Sequence, residues 1–79
     1  MKSLNEKLVS KYIGNKLKEH RKNQNITQSQ LAYESGIPRV QVGRIERGEI
    51  NTTIKTLIQI SKALNVQPSA FFDFILEDE

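Results

Sequence analysis

Residues 36–38, Gly-Ile-Pro, separate two short segments whose apolar residues recur at helical spacing. Before this break, Thr27 is placed to cap a helix that ends at Gly36. After it, Pro38 stands where a first helical turn tolerates proline, and Gly48 closes the next helix. Two short helices joined by a glycine-containing turn are the signature of a helix-turn-helix. Simple packing of two small helices in a bundle gives the same pattern and stays an alternative.

Helical spacing continues on both sides of this motif, and no alternating strand pattern occurs. The first helix is predicted to begin at the capping-box spacing Ser3-x-x-Glu6 and to run to about Lys22. A fourth helix is predicted after a cap at Thr52 or Thr53. With a fifth helix near the end of the sequence, these segments predict an all-α, five-helix fold.

The fifth predicted helix, over about residues 68–77 of a single domain of residues 1–79, is unusually apolar. Three Phe with Ile and Leu in six residues cover too much of a helix circumference to face one small core. We therefore interpret this helix as a homodimer surface, shared with Tyr12 or Leu8 of the first helix, although a role in the core alone is the alternative. The residues assigned to the dimer interface are Phe71, Phe72, Phe74 and Ile75.

Composition excludes several classes of site. The chain has no cysteine and one histidine, His20, which rules out a disulfide framework, a zinc cluster and a multi-histidine metal site within one chain. No apolar run approaches the ~20 residues of a membrane span, and no secretory signal is apparent, so we expect a cytoplasmic protein. No nucleophile–base set, carboxylate pair or glycine-rich phosphate loop is present. We therefore predict no enzymatic activity, no metal and no cofactor.

Basic residues dominate all but the end of the sequence. Twelve Lys and Arg oppose nine Asp and Glu, for a formal net charge of +3. Four of the acids lie in residues 73–79, so residues 1–72 carry a net charge of +7. A basic body of this kind suits a nucleic-acid partner, and the acidic end would follow the proposed dimer helix, away from the duplex.

The residues within the motif carry a family resemblance. Residues 26–37 read Ile-Thr-Gln-Ser-Gln-Leu-Ala-Tyr-Glu-Ser-Gly-Ile, and residues 42–48 read Val-Gly-Arg-Ile-Glu-Arg-Gly. They resemble the lambda-repressor-like, Xre/Cro-type family of bacterial and phage regulators, whose usual pattern is Leu-Thr-Gln-x-x-Leu-Ala, then Gly-Val, then Ile-Ser-x-Ile-Glu-x-Gly. Arg21 also stands where that family has its first-helix arginine. The resemblance covers roughly residues 12–72 and implies a lambda-repressor-like DNA-binding domain.

The resemblance implies that the second helix lies across the DNA backbone and that the third enters the major groove. Helix N-termini bind phosphate, and Arg and Gln side chains pair with guanine and adenine edges. Each position has a structural alternative as an N-cap, a helix brace or a solvated charge. The DNA-binding residues predicted on this basis are Thr27, Gln28, Arg39, Val40, Gln41, Gly43, Arg44, Asn51 and Thr52.

The family also implies a partly buried salt bridge between the first-helix arginine and the third-helix glutamate. Here these residues are Arg21 and Glu46, and a guanidinium fork suits a bidentate carboxylate. We predict a structural role for the pair, with a phosphate contact by Arg21 as the alternative.

Three positions carry residues that a helix does not favour. Pro38 departs from the family pattern, because it removes a capping hydroxyl and a donor N–H before the third helix. Gly43 stands where the family often has Ser or Ala, and it indicates either close approach to DNA or simple tolerance. Gly14 either loosens the first helix or admits a close neighbour.

The function implied is that of a sequence-specific transcriptional regulator. It would bind double-stranded DNA as a homodimer on a palindromic operator and regulate its own operon as a controller or repressor. Two alternatives stay open: an antitoxin-type regulator, and a protein-interaction module that kept the fold without binding DNA. Beyond DNA and a second copy of the chain, RNA polymerase or a cognate toxin is the further partner that these interpretations imply.

Overall fold

The structure, a computed structural model, describes residues 5–73, and the regular secondary structure within that range is all helical. Its elements are α1 (Glu6–Asn23), α2 (Gln28–Ser35), α3 (Arg39–Glu46), α4 (Ile54–Leu64) and a 3-10 helix (Pro68–Phe72). The all-α prediction is therefore confirmed for the described range. In that range, no helix is long and apolar enough to cross a membrane.

The start of α1 differs from the prediction. Asn5 is the N-cap, and its Oδ1 accepts a hydrogen bond from the Leu8 N–H at 2.8 Å. Glu6 is thus the first helical residue rather than the third position of a capping box. Ser3, the predicted cap, lies outside the described residues. An Asn side chain satisfies an orphan N–H as well as Ser does, so the spacing alone could not select between the two caps.

The predicted residues lie at both ends of α2 and at the start of α3. Thr27 and Gln30 form a reciprocal capping box at the start of α2, with hydrogen bonds of 3.0 and 2.8 Å. Gly36 ends α2 in the left-handed conformation, at φ 77°. Pro38 is the N-cap of α3 and supplies no side-chain hydrogen bond, as expected.

The prediction of a fifth α-helix is wrong for the residues that can be tested. The segment from Pro68 forms a 3-10 helix, in which the Ala70 N–H donates to the Gln67 carbonyl at 2.9 Å. Asp73 follows with φ −84° and ψ 71°, outside helical geometry. Short 3-10 turns are common connectors because they tighten the chain around a packed side chain. Residues 74–77 of the predicted helix lie outside the described residues.

Phe71 is the side chain around which this turn packs. It is completely buried, and its ring meets the His20 ring of α1 edge to face, with centroids 6.2 Å apart. The assignment of Phe71 to a dimer interface is therefore wrong, because its surface is already used within one chain. Phe72 is 51% exposed. Phe74 and Ile75 lie outside the described residues.

The core is a single cluster of apolar side chains drawn from every element. Each helix contributes its apolar stripe, and Ile37 fills the turn between α2 and α3. The buried members are Ile13, Leu17, Leu31, Ile37, Val42, Ile45, Leu57, Ile60, Leu64 and Phe71. This arrangement fixes α3 by one face and leaves its other face in solvent.

Candidate nucleic-acid interface

The exposed face of α3 is basic. Val42 and Ile45 bury the opposite face in the core. Val40, Arg44 and Arg47 follow at successive helical turns and are exposed, Val40 by 69%. The face that α3 turns to solvent therefore combines guanidinium groups with an apolar contact point.

A buried ion pair anchors the back of α3 to α1. Arg21 donates from Nε to Glu46 Oε2 at 2.6 Å and from Nη2 to Glu46 Oε1 at 3.0 Å. The third guanidinium nitrogen, Nη1, donates to the Ile26 carbonyl at 2.8 Å. Glu46 is only 5% exposed. All three nitrogens of the fork thus hold protein groups, which leaves Arg21 no free donor nitrogen for a phosphate.

The carboxylate partner also sets the charge state of this arginine. The hydrogen bond from Arg21 to Glu46 raises the pKa of the guanidinium, and the Coulomb attraction of Glu46 acts in the same direction. Burial opposes both effects but is outweighed. Arg21 is therefore a permanent positive charge whose neutralising partner lies on α3.

Gln28 extends the same network to α2. Its Nε2 donates to Glu46 Oε1 at 2.9 Å, so the first residue of α2 holds the last residue of α3. Gly43 lies beneath this amide: a Cβ there would sit 3.6 Å from Gln28 Oε1 and 3.1 Å from Arg47 Nη1. Gly43 is buried beneath the Gln28 and Arg47 side chains, and its close approach to DNA stays a prediction.

The N-terminal residues of both helices lie at the surface. Thr27 is exposed, and its Oγ1 accepts from the Gln30 N–H, so the hydroxyl acts as the cap of α2. Arg39 is exposed at the start of α3, and Gln41 is half-buried. Thr27, Arg39 and Gln41 are therefore accessible to solvent to these degrees, and their contacts with DNA stay predictions.

The loop after α3 is tied to α1 through one of the predicted contact residues. The Asn51 amide is used within the chain: Nδ2 donates to Glu6 at 2.9 Å, and Oδ1 accepts from Ser10 at 3.1 Å. The Thr52 Oγ1 is buried, with no hydrogen-bond partner in the described structure. Thr53 rather than Thr52 caps α4. The Asn51 side chain thus ties the loop to α1, and phosphate contacts by Asn51 and Thr52 stay predictions.

Sequence reasoning missed an ion pair at the end of α3. Arg47 donates from Nε to Glu49 Oε2 at 2.7 Å and from Nη2 to Oε1 at 3.3 Å, and Arg44 Nε lies 3.9 Å from the same carboxylate. The hydrogen bonds lower the pKa of Glu49 and raise that of Arg47. The signal was an acid two positions beyond an arginine, with a helix-ending glycine between them.

Comparison with known proteins identifies similar sequences. The Helix-turn-helix family HTH_3 matches residues 17–71. The control protein C.SmaI of Serratia marcescens is 39% identical over 57 residues, which cover 72% of this chain and 68% of that protein. An uncharacterized HTH-type transcriptional regulator of Sinorhizobium fredii is 36% identical over 70 residues, which cover 89% of this chain and 49% of that protein.

Solved structures give the same result. The restriction-modification controller protein C.AhdI from Aeromonas hydrophila superposes with a TM-score of 0.78 at 32% identity, over 80% of this chain and 96% of that one. The controller protein C.Esp1396I, as a tetramer in complex with its natural 35 base-pair operator, gives a TM-score of 0.76 at 35% identity. That match covers 82% of this chain and 86% of the controller.

Proposed function

The chain belongs to the HTH_3 helix-turn-helix family, and from this premise we propose that it is a sequence-specific DNA-binding transcriptional regulator of the controller type. Its activity is binding rather than catalysis. The proposal places α3 in the major groove and the start of α2 against the phosphate backbone. By its similarity to control proteins, we propose that it regulates its own operon.

The observation that carries this proposal is the fixed basic face of α3. The Glu46 carboxylate accepts hydrogen bonds from Arg21 of α1 and Gln28 of α2, so both neighbouring helices hold the orientation of α3. The arginine side chains on its outer face remain in solvent. A helix that is rigidly held and presents Arg and Gln side chains can read base edges without losing much conformational entropy on binding.

The proposed assembly on DNA is a homodimer. Ile54 and Ile58 lie one turn apart on α4, so they share a face, and Ile54 is 77% exposed. Apolar side chains grouped in this way mark an association surface. We propose that this face, rather than Phe71, pairs two copies. Twofold pairing suits a palindromic operator, whose half-sites one helical turn apart would require the two α3 helices to lie ~34 Å apart.

Substitutions in α3 test base recognition. We expect Arg39→Ala and Arg44→Ala each to weaken operator binding by about 1–3 kcal/mol and to relax base preference at one position of each half-site. The operator is first selected from random duplexes with the wild-type protein. Fluorescence anisotropy on that operator and on its single-base variants then measures the effect.

Lys18→Ala is the matched control for this test. Lys18 is exposed on α1, so its loss removes one positive charge without touching α3 or the Ile54–Ile58 face. This variant should keep the base preference of the wild type. Unchanged specificity in both arginine variants would refute the placement of α3. Failure of the wild type to bind any duplex at low salt would instead favour a protein-interaction module, because phosphate-driven binding strengthens as salt falls.

A second variant tests the dimer. Ile54→Ser combined with Ile58→Ser should shift the protein from dimer to monomer in sedimentation equilibrium, since the shared apolar face is lost. Tyr33→Ser is the control, because Tyr33 is a large exposed side chain on α2. A dimer that survives the double change would exclude this face as the interface.

A further inference from the structure

Glu49 places a negative charge on the basic surface around α3. Its carboxylate lies 2.7 Å from Arg47 Nε and 3.9 Å from Arg44 Nε. All three side chains are about half exposed, so the cluster faces solvent rather than the core. A DNA-binding surface that only maximised affinity for phosphate would carry no acid at this point.

The backbone holds Glu49 in this place. Gly48 adopts the left-handed conformation at φ 71°, and its N–H donates to the Ile45 carbonyl at 3.0 Å. The Glu49 N–H donates to the Arg44 carbonyl at 2.9 Å. This pair of bonds is the Schellman motif, which turns the chain back on the last helical turn. The position of the carboxylate beside Arg44 and Arg47 is thus built into the end of α3.

The surroundings of Gly48 make this turn rigid. A Cβ at Gly48 would approach the Lys11 backbone to 2.9 Å, so α1 closes directly over it. Asn51 then ties the following loop to Glu6 and Ser10 of α1. The chain on both sides of Glu49 is therefore anchored, which keeps the Glu49 backbone beside the last turn of α3 and its carboxylate within reach of both arginines.

We propose that Glu49 is a specificity-determining residue that restrains Arg44 and Arg47 from binding phosphates regardless of sequence. This inference rests on the proposed function. Binding to a non-operator duplex depends on phosphate contacts, so there Arg47 must exchange its two bonds with Glu49 for a phosphate, beside an uncompensated carboxylate. On the operator, the same restraint presents the arginines in a fixed geometry, and base contacts offset the repulsion.

The test compares Glu49→Gln with the wild type on the selected operator and on a scrambled duplex of equal length. We expect binding to the scrambled duplex to tighten about fivefold, the effect of one unit charge a few ångströms from a phosphate in water. Operator affinity should change less, so the ratio of the two affinities falls. On the scrambled duplex, the slope of log K against log salt should steepen by about 0.9, because without the Glu49 carboxylate the protein face at Arg47 neutralises one more phosphate charge.

Glu19→Gln is the matched control. It makes the same charge change in another exposed ion pair, with Lys16 on α1 at 3.6 Å, outside the α3 surface. This variant should leave the affinity ratio at its wild-type value. A double-mutant cycle completes the test: in an Arg47→Gln background, adding Glu49→Gln should change binding to the scrambled duplex less than it does in the wild type, since Arg47 is no longer there to be restrained.

The outcomes separate this inference from the proposed function. An operator-to-scrambled ratio that stays constant in Glu49→Gln, or changes only as in Glu19→Gln, overturns the role of Glu49 while the protein remains a DNA-binding regulator. Weaker operator binding with no gain on the scrambled duplex also overturns it, because Glu49 would then contact the operator itself. If the wild type binds neither duplex at low salt, the proposed function fails and this inference fails with it.

Discussion

Arg21→Ala is expected to lower the free energy of unfolding by about 3–5 kcal/mol, because it leaves the Glu46 carboxylate buried without its counterion. Glu46 is 5% exposed, and after the substitution only the Gln28 amide would still donate to it. The Ile26 carbonyl loses its donor as well. A chain of this length has about 4–12 kcal/mol of stability in total, so the loss is a large part of it.

Urea unfolding followed by circular dichroism measures this effect. Arg47→Ala is the control: it also removes an arginine from a bidentate pair with glutamate, but at the surface, where solvent screens both charges. Its unfolding midpoint should stay close to that of the wild type. Replacing both partners by apolar residues, Arg21→Met with Glu46→Leu, should recover part of the stability, because no unpaired charge is left. Equal losses for Arg21→Ala and Arg47→Ala would show that burial of the pair contributes nothing.

The sequence predicts most of this fold because its helix ends are locally encoded. Thr27, Gly36 and Asn65 each have a side chain or a backbone preference suited to one position at a helix end, and the structure places them there. The segment after Pro68 has no such determinant. The burial of Phe71 against α1 depends on residues about fifty positions away, and no pattern within the segment could reveal that contact.

The candidate interface shows the same division between local and distant determinants. The position of Arg39, Arg44 and Arg47 on the outer face of α3 follows from helical period alone. The hydrogen bonds of Asn51 do not follow from any local pattern, because its partners Glu6 and Ser10 belong to α1. The loop residues are polar, as phosphate contacts would be, but tertiary hydrogen bonds already occupy the Asn51 amide. Polarity in a loop therefore could not distinguish a DNA contact from a tie between helices.

Gly14→Ala is expected to destabilise the fold by about 3 kcal/mol, although alanine favours an isolated helix by ~1 kcal/mol over glycine. At Gly14, α1 crosses the end of α3 with no room for a side chain. A Cβ would overlap the Ile45 carbonyl oxygen and would lie 2.7 Å from that of Glu46. These are backbone atoms, which cannot turn aside as a flexible side chain does. Relief requires α1 and α3 to separate, and that movement would stretch the Arg21–Glu46 pair between the same two helices.

Gly43→Ala is the matched control, because it makes the same change inside another helix. A Cβ there would lie 3.1 Å from Arg47 Nη1, the far end of an exposed side chain that can move away. We therefore expect the stability of Gly43→Ala to be unchanged or raised by up to ~1 kcal/mol, the gain in helix propensity. Urea unfolding of the two variants side by side separates propensity from packing. If Gly14→Ala stabilised the protein as much as Gly43→Ala, the close crossing of α1 and α3 would be disproved. The Gly14 crossing ties the orientation of α3 to α1 by backbone contact, so Gly14→Ala should also weaken operator binding under conditions in which it remains folded.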